Sequence, residues 1–365
     1  MSNETTQDRP VPERLLRWLA LAIDRDASDL HLSAWYPPAL RLHGDLTELR
    51  EPALSGPEID LLLGDFGPSD LAERLSKNRD ADFSFDISVA EKTARFRAHV
   101  FVAGGYLAGC FRVIPTSIPS FDWAAFPMAL AERLAFLRDG LVVLTGPTGS
   151  GKTTTLALIV NLLNETGGYR IITVEEPVEY VFPRSSNSIV SQREVGKDVR
   201  SFADGLRSGL RQDPDVILVG EVRDRETAQM ALSAAETGHL VFTTLHTRDA
   251  KGAITRFADL FPQDAQSTVR SQLAMSLRSV VSQRLLPGIE KGSRRHLAIE
   301  VLWNTNPIAA SIRSGKLESI DNYLMSGRED GMISFDESVR RLMLDEKITR
   351  EVAERNVREL TVLNR

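Results

Sequence analysis

Gly146-Pro-Thr-Gly-Ser-Gly-Lys-Thr153 follows directly on the apolar run Leu141-Val-Val-Leu144. It satisfies G-x-x-x-x-G-K-[ST] at every fixed position, in the strand-then-loop context the motif requires. The next residues, Thr154 to Leu163, predict a helix with Leu156, Ile159, Val160 and Leu163 on one stripe. A helix N-terminus presents free N–H groups and partial positive charge, so this junction suits a polyphosphate. Gly146, Gly149 and Gly151 permit a tight turn with inward amides. Pro147, Thr148, Ser150 and Thr154 complete the expected nucleotide-binding set. Lys152 is expected to reach the β- and γ-phosphate oxygens of ATP, and the Thr153 hydroxyl to ligate Mg²⁺. The bland alternative is a glycine-rich turn with a chance lysine. It leaves the preceding strand and following helix unexplained.

Working outward, apolar strands at 141–145, 170–174, 216–219 and 240–245 alternate with helical stretches from about residue 123. That is an α/β pattern, a parallel sheet with helices on both faces. Past about residue 265 the chain is expected to be mostly helical, with Ser334-Phe-Asp-Glu337 as a capping box for a helix through about Asp345.

Three strand ends carry the candidate chemistry. Ile171-Ile-Thr-Val174 runs into Glu175-Glu176-Pro177-Val178-Glu179. In an open α/β sheet, ligands bind at the carboxyl edge, beside the phosphate loop. Clustered carboxylates repel unless a cation or proton intervenes, so Mg²⁺ and a water awaiting deprotonation are expected there. A charged loop end is the bland alternative. Asp215-Val-Ile-Leu-Val-Gly-Glu221 resembles a Walker B segment with Gly220 where aspartate is usual, which leaves Glu221 to reach the metal or its water. Either Glu221 or Glu179 is expected to activate water; the sequence does not choose. His239 and His246 bracket the third strand. A lone histidine is more often structural, but two flanking a strand in such a sheet suggest a γ-phosphate sensor.

The N-terminal third reads differently. Residues 13–24 predict an amphipathic helix with Leu15, Leu16, Leu19 and Ile23 on its apolar side. Strands are expected at 30–32, 39–43, 82–86, 94–102 and 106–114, with a helical stretch near 57–77 and a Gly104-Gly105 turn. Along 94–102, Arg95, Arg97 and His99 point one way and Phe96, Ala98, Val100 and Val102 the other; Arg112 sits on the neighbouring strand. The cationic face is either solvated surface or an anion site, for phosphates held by a neighbouring subunit. Pro115 to Pro119 is the best linker candidate.

At 365 residues the chain is too long for one ordinary core, and its 42% hydrophobic content argues against global disorder. A net charge of -6 counts against a nucleic-acid coat protein. The single cysteine, Cys110, excludes an internal disulfide and a thiolate zinc site; it reads as a small buried residue in a strand. Residues 1–12 lack the apolar core of a signal peptide, and no apolar run reaches the ~18 residues of a membrane span. A soluble cytoplasmic protein, reaching a membrane only through a partner, is expected.

Further segments carry a family resemblance: Ala27-Ser-Asp-Leu-His-Leu32, Phe111-Arg-Val-Ile-Pro115, Gln192-Arg-Glu-Val-Gly196, Asp213-Pro-Asp-Val216, Gly220-Glu-Val-Arg-Asp224, Ala235-Glu-Thr-Gly-His-Leu240, Thr244-Leu-His-Thr247 and Ser282-Gln283. With the phosphate loop and acidic box, this ordered set resembles the type IV pilus retraction branch of the secretion ATPase superfamily, the PilT-like twitching-motility motors. The resemblance implies a homohexamer that hydrolyses ATP with Mg²⁺ to disassemble pili, peripheral at the inner membrane through a pilus platform protein. It implies a PAS-like domain over 1–115, a linker over 116–122, and a RecA-like ATPase domain with a helical tail over 123–365. The nucleotide would lie between the two domains, with Arg97 and Arg112, and Arg95 as a weaker match, completing its site. One cysteine cannot build the four-cysteine zinc insert of the assembly and type II secretion branches. Two departures stand out: Glu176 where aspartate is usual, and Pro307-Ile-Ala-Ala-Ser-Ile-Arg313 in place of a segment close to Ala-Ile-Arg-Asn-Leu-Ile-Arg. They keep open an accessory or other secretion-system ATPase and a weakly hydrolysing nucleotide-binding regulator. A RecA-like nucleic-acid translocase is disfavoured by the acidic balance and the lack of an aromatic–basic strip.

Overall fold

Alternating polar and apolar strands build the first of two units, Met1–Ser117 and Ile118–Arg365, in a computed structural model that describes residues 10–42, 44–89, 92–114, 117–290 and 294–364. The first unit runs α1 (Glu13–Asp24), β1 (Asp29–Leu32), β2 (Ala39–Leu42), β3 (Asp45–Glu48), α2 (Gly56–Gly64), α3 (Leu71–Asn78), β4 (Asp80–Val89), β5 (Lys92–Ala103) and β6 (Tyr106–Ile114). Its sheet has the order β3-β2-β1-β6-β5-β4, antiparallel throughout. One face packs on the helices around Trp18, Leu30, Phe66, Phe96 and Phe111, all fully buried. Helix α1 buries Leu15, Trp18, Leu19 and Ala22. Leu16 and Ile23, expected on that side, are only partly buried, because Trp18 and Ala22 complete the same stripe. His43, expected to end a strand, lies outside the described residues.

The opposite face of this sheet is polar. Arg97 stands opposite Arg112, and His99 opposite Cys110. Cys110 is therefore not a core residue as expected; it is half-buried on the charged face, its Sγ 4.0 Å from Asp29. Burial raises its thiol pKa above the ordinary value, with Asp29 adding to the effect.

The second unit begins with α4 (Phe121–Ala124), capped by the Ser120 hydroxyl, and α5 (Met128–Ala135). There follow β7 (Gly140–Thr145), α6 (Lys152–Thr166), β8 (Arg170–Glu175), β9 (Ile189–Glu194), α7 (Phe202–Gly209), β10 (Val216–Val219), α8 (Arg225–Glu236), β11 (Leu240–Thr244), α9 (Ala250–Asp259) and α10 (Gln266–Ser276). The chain ends with β12 (Leu277–Leu286), β13 (His296–Trp303), α11 (Asn306–Ser314), α12 (Ile320–Ser326), α13 (Phe335–Leu344) and α14 (Arg350–Asn356). The sheet order is β13-β12-β7-β11-β10-β8-β9, parallel except for edge strand β13. Strands β7, β10 and β11 are buried along their whole length, as both-face coverage by helices demands.

Past 265 the chain is mostly helical as expected, but it also supplies two unanticipated strands, β12 and β13, that extend the sheet. Strand β12 hides its signal because Ser279, Ser282 and Gln283 are polar yet fully buried. The Ser279 hydroxyl donates to Leu302 O at 2.9 Å and the Gln283 amide nitrogen to Thr155 Oγ1 at 2.8 Å, while Gln283 Oε1 is buried without a hydrogen-bond partner. Helix α13 has the expected Ser334 cap, whose hydroxyl accepts from Glu337 N. The Glu337 carboxylate, however, turns to Arg340 and Arg341. Among the described residues no helix is long and apolar enough to cross a membrane.

Candidate functional site

Strand β7 lies next to β11 near the middle of the sheet, and the phosphate loop leaves its carboxyl end. Gly146 has φ 139°, and a Cβ there would lie 2.2 Å from Gln283 O, so only glycine fits. Gly151 caps α6 in the left-handed region, φ 90°. Lys152 opens α6 and is buried; its ammonium donates to Gly146 O at 2.8 Å and Pro147 O at 3.2 Å. Burial lowers its pKa, while Glu221 and Glu179 oppose that shift. The Ser150 hydroxyl is buried without a partner inside the same loop. Thr153 occupies the first turn, half-buried, and the Thr154 hydroxyl pairs with Tyr180 Oη at 2.9 Å.

The acidic box splits into three environments. Glu175, at the end of β8, is 6% exposed. It accepts from Thr173 Oγ1 at 2.6 Å and Gln192 Nε2 at 3.2 Å. Burial nevertheless pushes its pKa up to about 7. Glu176 is exposed and pairs with Arg223 Nη1 at 3.3 Å. Glu179 is half-buried, and its charge is felt at Lys152, Glu175 and Tyr180. Strand β9, which the sequence reading missed, fixes this loop: Gln192 grips Tyr180 O and Phe182 N, and Glu194 accepts from Val178 N.

Glu221 follows β10, with its side chain only 12% exposed. It pairs with Arg223 Nη2 and, at 3.3 Å, with His246 Nε2. Arg223 thus bridges Glu176 and Glu221. It lies in the quoted Gly220–Asp224 segment, but arginine beside two acids has no spacing rule that would have flagged it. Burial, followed by Lys152, holds the His246 pKa below its ordinary value, against the pull of Glu221. Phosphate loop, Lys152, Glu179, Glu221 and His246 therefore share one edge of the sheet.

His239 does not join them, which corrects its place in the expected sensor pair. Its carbonyl accepts from Gly140 N at the start of β7, and its ring bonds Ala234 O at 3.0 Å. In a parallel sheet that is the amino edge, about five residues or ~16 Å from the phosphate loop. Its ring caps the end of α8 instead.

In the first unit, Arg97 pairs with Asp82 at 3.3 Å and Arg112 with the buried Asp29 at 2.9 Å. Arg95 stands opposite Asp86 on the same strand face. Asp82 and Asp29 orient Arg97 and Arg112 and offset their mutual repulsion.

The raised Glu175 pKa has a consequence for stability. An acid whose folded pKa exceeds its unfolded one stabilises fully below the unfolded value and loses that contribution as pH rises through the folded value. The window here runs from about 4.5 to about 7, and the full effect is about 3 kcal/mol at most. Glu175→Gln is isosteric and cannot ionise. Its unfolding free energy should therefore gain on that of the unmodified chain as pH rises through this window. Parallel pH profiles in urea melts would contradict the assignment.

Comparison with known proteins extends these observations. A family model described as Type II/IV secretion system protein matches residues 4–329. The type IV pilus retraction ATPase PilT of Pseudomonas aeruginosa is 40% identical over 335 residues, 92% of this chain and 95% of that protein. A twitching motility protein of Neisseria gonorrhoeae is 39% identical over 322 residues, covering 88% and 84% of the two chains. Among solved structures, the pilus retraction motor PilT with bound ADP superposes with a TM-score of 0.81 at 42% identity, covering 96% of this chain and 98% of that one.

Proposed function

The chain belongs to the Type II/IV secretion system protein family, and from that premise we propose that it is a hexameric ATPase motor that powers type IV pilus retraction. The observation that carries the reading is the meeting, at one sheet edge, of a glycine-lined loop holding a buried Lys152 with the carboxylates of Glu179 and Glu221. In this reading the first unit is a PAS-like domain and the second a RecA-like ATPase domain. The protein works in the cytoplasm, against a platform protein of the inner membrane.

The loop suits a polyphosphate: Ser150 Oγ is a buried group without a partner, and the Lys152 ammonium rests on backbone carbonyls it can leave. Backbone N–H groups of 148–154 and of Gly146 hold the β- and γ-phosphates of ATP, Pro147 having none to give, and Lys152 neutralises them. Thr153 and Glu221 are hard oxygen donors of the kind that suits Mg²⁺, which is commonly held by one or two protein oxygens plus substrate phosphates. The metal, when bound, neutralises charge on the β- and γ-oxygens. Glu179 orients the attacking water and takes its proton, and His246, kept mostly neutral, senses the γ-phosphate from the Glu221 side. Glu175 and Glu176 hold the box: the first from below through Gln192, the second through Arg223. Arg97 and Arg112 contact phosphates from a neighbouring domain in the ring.

Phosphate release measured on a sample of known solution mass tests this directly. We expect steady turnover in a species of about six chain masses, since cyclic homo-oligomers close on themselves. An active monomer or an inactive hexamer would each contradict it. Arg97→Ala and Arg112→Ala should each lower turnover about 10- to 100-fold, the two guanidinium groups sharing a role that a single arginine can fill at ~10³ or more. Nucleotide affinity of the second unit should barely change. Unaltered turnover in the double variant would remove the arginines from the site.

A further inference from the structure

The loop after β11 carries His246 and Thr247, and its conformation is held from both ends. At the near end Thr145, last residue of β7, bonds it three times. The Thr145 hydroxyl accepts from Thr247 N at 2.9 Å and lies 2.7 Å from Thr247 Oγ1 and 3.0 Å from Thr247 O. At the far end Asp249 caps α9, one carboxylate oxygen accepting from Gly252 N at 2.7 Å. Its other oxygen receives Arg358 Nη2 at 2.6 Å. Arg358 lies beyond α14, close to the end of the chain.

That guanidinium has more than one partner. Its Nη1 donates to Asp321 Oδ1 of α12 at 3.2 Å, and its Nη2 lies 3.9 Å from Glu300 Oε2. Glu300 is buried and accepts from Ala250 N at 2.8 Å, the first amide of α9. The backbone around Arg358 is fixed as well: Asp336 accepts from Arg358 N and Glu359 N, both at 3.0 Å. Asp249, Glu300 and Asp321 thus converge on one guanidinium whose main chain Asp336 anchors. Lys251 helps by pairing with Asp321, and Arg248 O is held by Ser282 Oγ at 3.0 Å and by Arg284. A bridging guanidinium fixed at both ends sets the geometry of what it joins.

We propose that Arg358 is a positioning residue for the nucleotide site: through Asp249 it fixes the 246–249 loop, so that the C-terminal segment sets the placement of His246 and of Thr247 against the phosphate-loop strand. The inference rests on the ATPase reading for its effect on turnover, and on geometry alone for its effect on the loop. A small misplacement of a catalytic surround far from the bond being broken can cost up to ~10²-fold.

The test uses the full chain in its assembled state. Arg358→Ala should lower ATP turnover about 10-fold with KM changed less than about twofold, because positioning acts in the transition state. Arg358→Lys should recover part of it. Asp249→Asn keeps a capping oxygen for Gly252 yet weakens the ion pair; it should reproduce the fall, and the double variant should fall no further. Arg355→Ala, which breaks only an exposed pair with Glu351, should leave turnover unchanged. Hydrogen exchange without nucleotide gives the second readout: in Arg358→Ala, amides of 246–250 should exchange about 10-fold faster while those of α6 keep their protection. Unchanged exchange at 246–250 overturns the inference whatever the turnover. Equal loosening of α6 also overturns it, since Arg358 would then be a general clamp. Absence of hydrolysis by the unmodified protein defeats the ATPase reading instead, and exchange still judges this one.

Discussion

Lys152→Ala is expected to abolish ATP hydrolysis, by about 10³-fold or more, and to weaken nucleotide binding about 100-fold, the loss of charge-assisted hydrogen bonds worth about 3 kcal/mol. The Lys152 ammonium already sits where phosphate would meet it. It is buried at the mouth of the loop, spanning Gly146 O and Pro147 O. Burial disfavours its charge, so the site holds a desolvated cation that phosphate oxygens would relieve. Removing it deletes that cation and the cost of desolvating it, which offsets the loss of its bonds to the buried Gly146 O and the exposed Pro147 O. The thermal midpoint should therefore stay within a few degrees of that of the unmodified chain. Phosphate release and equilibrium nucleotide binding check the two halves separately. Retained turnover would mean that catalysis does not pass through this loop.

The second large effect concerns the two carboxylates. Glu221→Gln and Glu179→Gln should each cut turnover by about 10²- to 10³-fold, but for different reasons. Glu221 is anchored by Arg223 and His246, a fixed acceptor suited to a metal or its water. Its loss should raise the Mg²⁺ concentration for half-maximal activity about 10-fold. Glu179 lies two residues past Pro177, and its charge is felt at Lys152 and Glu175. Its loss should leave that Mg²⁺ dependence within about twofold and act on the chemical step alone. Both variants should still bind ATP. Turnover unchanged in both would defeat the mechanism; reversed Mg²⁺ behaviour would exchange the two roles.

Parts of this site are legible in the sequence because they are short-range chemistry. Gly146 to Thr153 is a local pattern between a strand and a helix, and the burial of Leu156, Ile159, Val160 and Leu163 follows from period alone. Glu175, Glu179 and Glu221 were legible as acids at strand ends. What escaped was set by distant partners. Gln192 supports the acidic box from β9, a strand with no alternating signal and only partial burial. Arg223 reaches Glu176 across 47 positions of sequence and so joins it to Glu221. Strand β12 carries polar residues that become acceptable only once β13 and α6 supply their hydrogen bonds. His239 precedes β11, so a parallel sheet sets it at the amino edge; the expected sensor pair counted both flanks of the strand and overlooked that direction, which the pairing with β7 makes plain. On the first sheet, period two separated the arginine face from the core correctly. Asp29 and Asp82, which tie those arginines down, lie on other strands.

The departures at Glu176 and 307–313 now have surroundings. Glu176 reaches Arg223, a contact that a longer side chain favours. Segment 307–313 forms α11, with Ile308 and Ile312 buried and Arg313 in its last turn. The substituted positions therefore keep an amphipathic helix, whatever work that helix transmits.

The most direct test of the central claim is equilibrium titration of the assembled protein with a non-hydrolysable ATP analogue in the presence of Mg²⁺. Saturable binding in the micromolar range, ordinary for a specific nucleotide site at about -8 kcal/mol, and its loss in Lys152→Ala, is the predicted result. An unmodified protein that takes up no nucleotide, or a Lys152→Ala variant that binds it equally well, would contradict the claim that a triphosphate is held between the loop amides and the acidic rim.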